Sequence, residues 1–130
     1  SDAMGFNRRI RVYRYKSGNV YRPHIDGAWP GSSLDEEGNY QFDGFGDRYS
    51  KLTMLFYFND VDHKDHGGCT TFYLPCKNRE GILNAFPVAP VMGSILFFPH
   101  GSAKGSLLHE GSQCTSVKYV GRTEVLFPKK

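Results

Sequence analysis

His24 and Asp26, a histidine and an aspartate two residues apart, are the first side chains in this sequence that could do chemistry together. The residues around them have the composition of a short β-strand, and side chains two residues apart on a strand lie on the same face. An imidazole and a carboxylate on one face can bind the same metal ion. The pair therefore predicts two ligands of a metal site.

The third ligand is expected to be His109, which ends the apolar stretch 106–109. Two histidines and one carboxylate form a facial triad that leaves three positions of an octahedral ion open. Such a site suits Fe(II) that binds a bidentate cosubstrate and then O2, whereas zinc more often takes a tetrahedral site. A lone histidine on an apolar strand is usually a hydrogen-bonded core residue, so this prediction depends on the pair at 24 and 26.

The other residues of metal-binding type are interpreted as structural. His63 and His66 stand among three aspartates before Gly67, which is more typical of a solvated loop than of a metal site. Cys69 and Cys76 lack the CxxC spacing of a zinc site and are expected to be half-buried thiols.

Short β-strands must position these residues, because no long segment has helical periodicity. The expected strands are 10–15, 19–26, 51–59, 69–74, 94–98, 106–110 and 116–127, with weaker ones near Tyr40 and Val88. Such short strands, separated by Gly, Pro, Asn and Asp, fit an all-β jelly roll of the cupin-like, double-stranded β-helix type, with at most short helices. Residues 52–58 are apolar on both faces, which predicts a central strand that is covered on both sides.

Residues 27–50, between two expected strands, form a segment that is long for a loop in a compact domain and rich in Gly, Asp and Glu. Long loops in such folds are commonly lids or binding loops. We therefore expect this segment to be functional and to be mobile without substrate. Trp29, three residues after Asp26, is expected to form part of a substrate wall.

Several motifs, each weak alone, occur in an order that is specific as a set: Tyr21-Arg22-Pro23-His24-Ile25-Asp26, Gly67-Gly68-Cys69-Thr70-Thr71-Phe72, Gly93-Ser94-Ile95-Leu96-Phe97-Phe98, and His109-Glu110-Gly111 followed by Lys118-Tyr119. With the aromatic strand at 52–58, they resemble the prolyl-4-hydroxylase-like family of Fe(II)- and 2-oxoglutarate-dependent dioxygenases. The resemblance covers nearly the whole chain. It implies a double-stranded β-helix and Fe(II) bound by His24, Asp26 and His109.

The resemblance also implies the reaction and the cosubstrate pocket. In this family O2 converts 2-oxoglutarate to succinate and carbon dioxide while a substrate C–H bond is hydroxylated, with ascorbate as a candidate reductant. The implied substrate is a peptide or an amino acid. A basic residue after the last histidine would bind the distal carboxylate of 2-oxoglutarate, which indicates Lys118 here. Tyr57, Tyr15 and Thr70 would line the same pocket by resemblance.

Two cations on the last expected strand, Lys118 and Arg122, compete for the role of carboxylate anchor, because four residues along a strand return to the same face. We favour Lys118, since the nine residues after His109 allow a strand end, a turn and a return beside the metal. Arg122 would lie about 13 Å further along, at about 3.3 Å per residue. It is expected to pair with a carboxylate such as Glu124 or to face the rim.

Composition limits the class of protein. The 130 residues fit one domain spanning 1–130, with residues 1–4 interpreted as an expression scar. A net charge of +3, from 16 basic and 13 acidic residues, gives no sign of a nucleic-acid partner. No stretch approaches the roughly 20 apolar residues of a membrane helix. Three cysteines and no visible signal peptide favour a cytoplasmic or nuclear location.

Two other classes of function stay open at this point. The first is a cupin-like binding module that holds a metal without oxidative turnover. The second is a nucleic-acid demethylase with the same iron core, although the basic stripe with interleaved aromatics that it would need is not evident. The basic anchor after His109 distinguishes the dioxygenase, because a protein that only binds metal does not need it. The sequence identifies neither the substrate nor the oligomeric state.

Overall fold

The structure is a computed structural model and describes residues 2–129. Its elements are β1 (Arg11–Tyr15), β2 (Asn19–His24), β3 (Ser33–Leu34), β4 (Tyr40–Gln41), β5 (Arg48–Tyr57), α1 (His63–His66), β6 (Thr70–Pro75), β7 (Leu83–Val88), β8 (Ile95–Pro99), β9 (Leu108–Cys114) and β10 (Lys118–Pro128). The predicted all-β chain with at most short helices is confirmed. None of the helices in this range has the length and apolar character needed to cross a membrane.

The strands form two four-stranded antiparallel sheets and one small hairpin. Sheet I has the order β1-β10-β5-β8, sheet II has the order β2-β9-β6-β7, and β3 pairs with β4. Each sheet takes strands from both halves of the chain, so the chain crosses between the layers repeatedly. This is the predicted double-stranded β-helix.

The space between the sheets is unusually polar. Among residues 2–129, fourteen polar or charged residues are buried, compared with nine apolar ones. The apolar part includes Phe72 of β6, Phe98 of β8 and Leu126 of β10. Because a buried polar group is costly without a hydrogen-bond partner, the polar side chains must satisfy one another or bind something else.

Strand β5 occupies a central position in sheet I, between β10 and β8, as the sequence predicts. Its inner face buries Thr53 and Tyr57, but the prediction that both faces are covered is wrong for the outer one. The outer face continues into Ile95 and Phe97 of β8, which are 54% and 50% exposed. Within residues 2–129 no element packs over this apolar surface.

The segment 27–50 is more ordered than the sequence predicts. Pro30 bridges Tyr49, the β3–β4 hairpin lies inside the segment, and β5 begins at Arg48 rather than at residue 51. Residues 30–33 are buried, whereas the β3–β4 turn, strand β4 and residues 42–44 are exposed. The expected long loop is therefore a strap with one exposed hairpin.

Two strand ends near the predicted site differ from the expectation. Strand β2 ends at His24, so Asp26 lies beyond it, and β9 runs on to Cys114 instead of ending at residue 110. The ladder between β2 and β9 is irregular, with register shifts on both sides of Tyr21. Pro23 contributes to this, because it has no N–H to donate to a ladder.

Candidate metal and cosubstrate site

The three predicted metal ligands meet at the open end of the β2–β9 ladder. His24 is paired with His109 across the ladder, and Asp26 follows two residues later. Asp26 Oδ1 lies 3.0 Å from His24 Nε2 and 3.7 Å from His109 Nε2. One ligand atom from each residue can be chosen so that all three lie within 4.8 Å of one another. The geometry is that of a compact two-histidine, one-carboxylate set.

Hydrogen bonds orient both imidazole rings. His24 Nδ1 donates to the carbonyl of Arg22 at 2.7 Å, and His109 Nδ1 donates to the carbonyl of Leu107 at 3.0 Å. A carbonyl only accepts, so the Nδ1 atoms carry the protons and the Nε2 lone pairs point at Asp26 Oδ1. Three electron-rich atoms that converge in this way are stabilised by a cation. The donor set therefore fits a divalent metal ion.

Aromatic side chains enclose the two histidines. Tyr21 packs edge-on against His24, with 4.3 Å between the ring centroids, and Phe98 packs against His109 at 4.6 Å. Phe72 lies on the other side of His109, at 5.7 Å. Burial lowers the pKa of His109 and keeps it in the neutral form that binds metal.

Asp26 is held in its ionised form although it is buried. Burial alone would raise its pKa, but the Arg122 guanidinium and the Thr53 hydrogen bond lower the pKa below the usual value. Thr53 Oγ1 donates to Asp26 Oδ2 at 2.7 Å, and Arg122 Nη1 lies 3.1 Å from Asp26 Oδ1. The carboxylate is therefore charged and fixed in orientation.

A pocket opens from the metal ligands along the inner faces of both sheets. It is lined by Tyr13, Tyr15, Tyr21, His24, Asp26, Leu55, Thr70, His109, Gly111, Lys118, Val120 and Arg122. The structure thus brings the predicted residues Tyr15, Thr70 and Lys118 to the metal ligands. Tyr57 lies behind this wall, where its hydroxyl hydrogen bonds to Thr70 Oγ1 at 2.6 Å. It supports the pocket through Thr70.

Lys118 is a buried cation in the wall of the pocket. It is 1% exposed, its Nζ donates to the carbonyl of Gly68 at 2.7 Å, and it lies 4.2 Å from the ring centroid of Tyr15. Burial lowers its pKa, and no carboxylate of residues 2–129 forms an ion pair with it. Gly68 has φ +80°, and a Cβ there would lie 2.9 Å from Cys114 Sγ, so only glycine presents this carbonyl without strain.

Arg122 is not at the rim, so that alternative of the sequence analysis is wrong. Its side chain is buried and lies between Asp26 Oδ1 at 3.1 Å and Glu124 Oε1 at 3.7 Å. The expected pairing with Glu124 is confirmed. Strand β10 brings both cations into the pocket, but only Arg122 has carboxylate partners among the described residues.

Two other residues beside Asp26 were not predicted. Thr53 and His100 are buried and linked to Asp26 by hydrogen bonds. The sequence does contain a signal for Thr53: it lies four residues before Tyr57, an expected pocket residue, and therefore on the same face of β5. His100 follows β8 in a glycine-containing turn, and nothing in its local sequence indicates that it is buried.

The remaining candidates stay outside the pocket. His63 and His66 lie in the exposed helix α1, as a solvated segment should, and Cys76 is partly exposed while Cys69 is buried. Trp29 does not line the pocket. Its ring packs under the guanidinium of Arg9, at 4.1 Å, so its predicted place in a substrate wall is not supported.

Comparison with known proteins gives a family. The sequence profile of the 2OG-Fe(II) oxygenase superfamily matches residues 10–123. No curated protein matches the sequence.

Solved structures of similar fold include a Pseudomonas putida prolyl-4-hydroxylase (17% identity, TM-score 0.58, covering 89% of this chain and 50% of that one). A Trichoplax adhaerens prolyl hydroxylase, in complex with a hypoxia inducible factor oxygen degradation domain peptide fragment, has 19% identity and a TM-score of 0.61, covering 95% of this chain and 44% of that one. A viral collagen prolyl hydroxylase from Paramecium bursaria Chlorella virus-1 has 18% identity and a TM-score of 0.51, covering 95% of this chain and 63% of that one.

The chain thus spans about half to two thirds of the length of these structures. Identities of this size show a common fold. The profile match extends over nearly all of sheet I and sheet II and includes His24, Asp26, His109 and Lys118. The chain belongs to the 2OG-Fe(II) oxygenase superfamily.

Proposed function

We propose that this chain is the core of a dioxygenase that hydroxylates a C–H bond of a peptidyl or amino-acid substrate and couples this to the decarboxylation of 2-oxoglutarate to succinate. His24, Asp26 and His109 bind Fe(II) in the proposal, and Lys118 binds the distal carboxylate of 2-oxoglutarate. The converging lone pairs of the three side chains support the metal assignment. When bound, Fe(II) and 2-oxoglutarate supply the oxidising chemistry, in which O2 is the oxidant.

The observation that carries the proposal is that Lys118 is buried and has no carboxylate partner among residues 2–129. A buried ammonium that lacks a carboxylate partner is costly, and a protein that only stored a metal would gain nothing from it. Lys118 lines the same pocket as the three metal ligands. A dicarboxylate that reached from the metal to Lys118 would supply the missing negative charge. The cosubstrate of the family has this chemistry.

The protein's own residues perform the remaining tasks. Tyr15 packs against the ammonium, and Thr70 lines the same pocket. Burial raises the pKa of Tyr15 to about 12, so the phenol stays neutral and does not compete as an anion for Lys118. Phe72 and Phe98 close the inner side of the metal ligands and exclude water there.

The proposed substrate class follows from the fold relatives and from the open side of the site. The Trichoplax adhaerens enzyme binds a peptide fragment, and the other relatives are prolyl hydroxylases by name. In this chain Tyr21 is half exposed and packs against His24, so a substrate at the surface could contact it beside the proposed metal ligands. Succinate release in the presence of proline-containing peptides, free amino acids and small metabolites would identify the class that stimulates turnover.

The decisive experiment is an anaerobic titration of the Fe(II) protein with 2-oxoglutarate, followed by the visible charge-transfer band of the bidentate chelate. Lys118→Ala is expected to weaken 2-oxoglutarate binding by about 100-fold, because a buried charge pair contributes a few kcal/mol at about 1.4 kcal/mol per tenfold. Metal content should not change. Lys104→Ala, which removes an exposed lysine outside the pocket, is the control.

His24→Ala tests the metal assignment. It should lose the metal and, with the metal, the charge-transfer band. A wild-type protein that binds Fe(II) but shows no band with 2-oxoglutarate would contradict the cosubstrate assignment. Undiminished metal content in His24→Ala and His109→Ala would contradict the metal set.

A further inference from the structure

A continuous row of buried side chains leads from the strap to the metal-binding carboxylate. Ser50 Oγ lies 2.8 Å from His100 Nε2, His100 Nδ1 lies 2.7 Å from Thr53 Oγ1, and Thr53 Oγ1 lies 2.7 Å from Asp26 Oδ2. Thr53, His100 and Ser50 are 0%, 1% and 2% exposed. Bulk solvent therefore does not reach these atoms, and the side chains satisfy one another through the three contacts.

The hydrogen bonds in this row can run in one direction only. The ionised Asp26 carboxylate accepts and cannot donate, so the single hydroxyl proton of Thr53 is used on Asp26. Thr53 Oγ1 must then accept from His100, which places a proton on His100 Nδ1. At the other end, Ser50 Oγ accepts from the backbone N–H of Trp29 at 2.8 Å and is free to donate its own proton to His100 Nε2. The imidazole is neutral in this arrangement.

The backbone of Asp26 is fixed from the same place. Its carbonyl accepts from the N–H of Gly101 at 2.8 Å, next to His100 in the chain. Gly101 has φ +60°, and a Cβ there would lie 2.8 Å from the Cβ of Ala28, so the two segments approach closely only because this residue is glycine. Asp26 lies beyond the end of β2 and has no ladder to hold it. The hydrogen bond from the turn after β8 therefore holds the Asp26 backbone in place of strand pairing.

We propose that His100 and Thr53 are positioning residues for Asp26, which set the rotation of its carboxylate so that Oδ1 faces the two histidine Nε2 atoms. The proposal rests on the metal set of the proposed function. Neither residue touches the metal in it. Thr53, oriented by His100, occupies Asp26 Oδ2 with a hydrogen bond. Only Oδ1 is then available to the ion, in one orientation of the carboxylate. Groups of this kind typically change metal affinity by about 10- to 100-fold when removed.

Two matched pairs of variants test the proposal. Thr53→Val removes the hydroxyl at nearly constant shape, whereas Thr53→Ser keeps it. His100→Asn places an amide N–H near the position of Nδ1, whereas His100→Gln places its amide near Nε2 and removes the donor to Thr53. Within the first pair only Thr53→Ser keeps the hydroxyl, and within the second pair only His100→Asn keeps a donor facing Thr53. The two variants of each pair differ in size by a single heavy atom.

The measurement is the dissociation constant for Mn(II), with no cosubstrate and no turnover, together with the electron paramagnetic resonance line shape of the bound ion. Thr53→Val and His100→Gln are expected to weaken Mn(II) binding by about 10- to 100-fold and to broaden the signal. Thr53→Ser and His100→Asn should stay close to wild type. Equal effects within either pair would overturn the proposal. Thermal unfolding of the metal-free proteins identifies a variant that has not folded.

The tautomer of His100 gives a second test that needs neither metal nor variant. Nitrogen-15 NMR of the folded, metal-free protein should show His100 neutral and protonated at Nδ1. A ring protonated at Nε2 alone, or at both nitrogens, would overturn the proposed direction of the hydrogen bonds.

If His24→Ala retained Mn(II), the metal set itself would be wrong. If His24→Ala lost Mn(II) while Thr53→Val kept it, only the positioning role would fail.

Discussion

At the scale of single residues, the two cations of β10 have opposite environments. Arg122 lies between Asp26 and Glu124, and Arg11 adds a second cation to Glu124 at 2.9 Å. Lys118, by contrast, has a backbone carbonyl and an aromatic ring but no carboxylate in the described part of the chain. Arg122 therefore stabilises the protein itself. Lys118 is costly for the fold, and the proposed cosubstrate would supply the negative charge that it lacks.

This difference predicts opposite effects on stability. Arg122→Met is expected to lower the free energy of unfolding of the metal-free protein by about 3–5 kcal/mol, because it breaks a buried ion-pair network. Lys118→Met should leave that free energy unchanged or raise it, because it removes a desolvated charge while keeping most of the apolar stem. Urea unfolding at pH 7 measures both. A large loss of stability in Lys118→Met would show that its present contacts already compensate its charge.

The sequence predicts the residues whose roles depend on local spacing. His24 and Asp26 are recognised from a two-residue step, and Lys118 from its distance to His109 in a known order of motifs. The partners of Arg122 and the burial of His100 depend on how β10 and β8 lie beside β5, with a register shift between Val125 and Leu126. Such pairing between distant strands is not encoded in any single window of sequence.

At the scale of elements, the strap 27–50 combines buried and exposed parts. Its first residues are fixed by hydrogen bonds, such as those from Gly31 N to the Arg48 carbonyl and from Ser50 N to the Trp29 carbonyl. Its tip, between β3 and β4, is exposed. Local opening is therefore expected at the hairpin turn rather than over the whole strap.

Limited proteolysis should reveal this division. Endoproteinase Glu-C is expected to cut the native protein after Glu36 or Glu37, which are exposed in the β3–β4 turn, before it cuts at the buried Glu124. Trypsin should spare Arg48, because its backbone carbonyl is paired with Gly31. Mass spectrometry of the first fragments measures the order. Early tryptic cleavage after Arg48 would indicate that the entire strap opens.

The elements themselves were easier to predict than their ends. Alternating apolar residues and turn residues between them located most strands. The start of β5 at Arg48 was missed because Arg48, Tyr49 and Ser50 are polar in character and pair through their backbone with β10. Side-chain pattern does not report backbone pairing of this kind.

At the scale of the whole molecule, the two faces of sheet I differ in a way that composition does not reveal. The inner face carries the polar pocket, and the outer face carries half-exposed Ile95 and Phe97 beside Met54 and Phe56 of β5. Contiguous apolar surface of this kind binds hydrophobic dyes and favours association.

Replacing two of these residues should change the surface without changing the site. The double variant Ile95→Thr and Phe97→Thr keeps strand-forming side chains and is expected to reduce the fluorescence of bound 8-anilinonaphthalene-1-sulfonate. Mn(II) affinity should stay at the wild-type value, because the outer face does not contact the metal ligands. If the fluorescence did not fall, the dye would be binding to an apolar surface other than the one formed by Ile95 and Phe97.

The polar space between the sheets links the binding of metal and cosubstrate to the stability of the fold. Asp26, His24 and His109 bring together groups that prefer a cation, and Lys118 prefers an anion. Under the proposed function, metal and cosubstrate would therefore bind the native chain much more tightly than the unfolded chain. By mass action, each ligand adds RT ln(1 + [L]/Kd), or about 2.7 kcal/mol at a concentration 100 times its dissociation constant. For a domain whose net stability is typically about 5–15 kcal/mol, this is a substantial share. The cell's supply of iron and 2-oxoglutarate would then govern how much of this protein survives, as well as how fast it works.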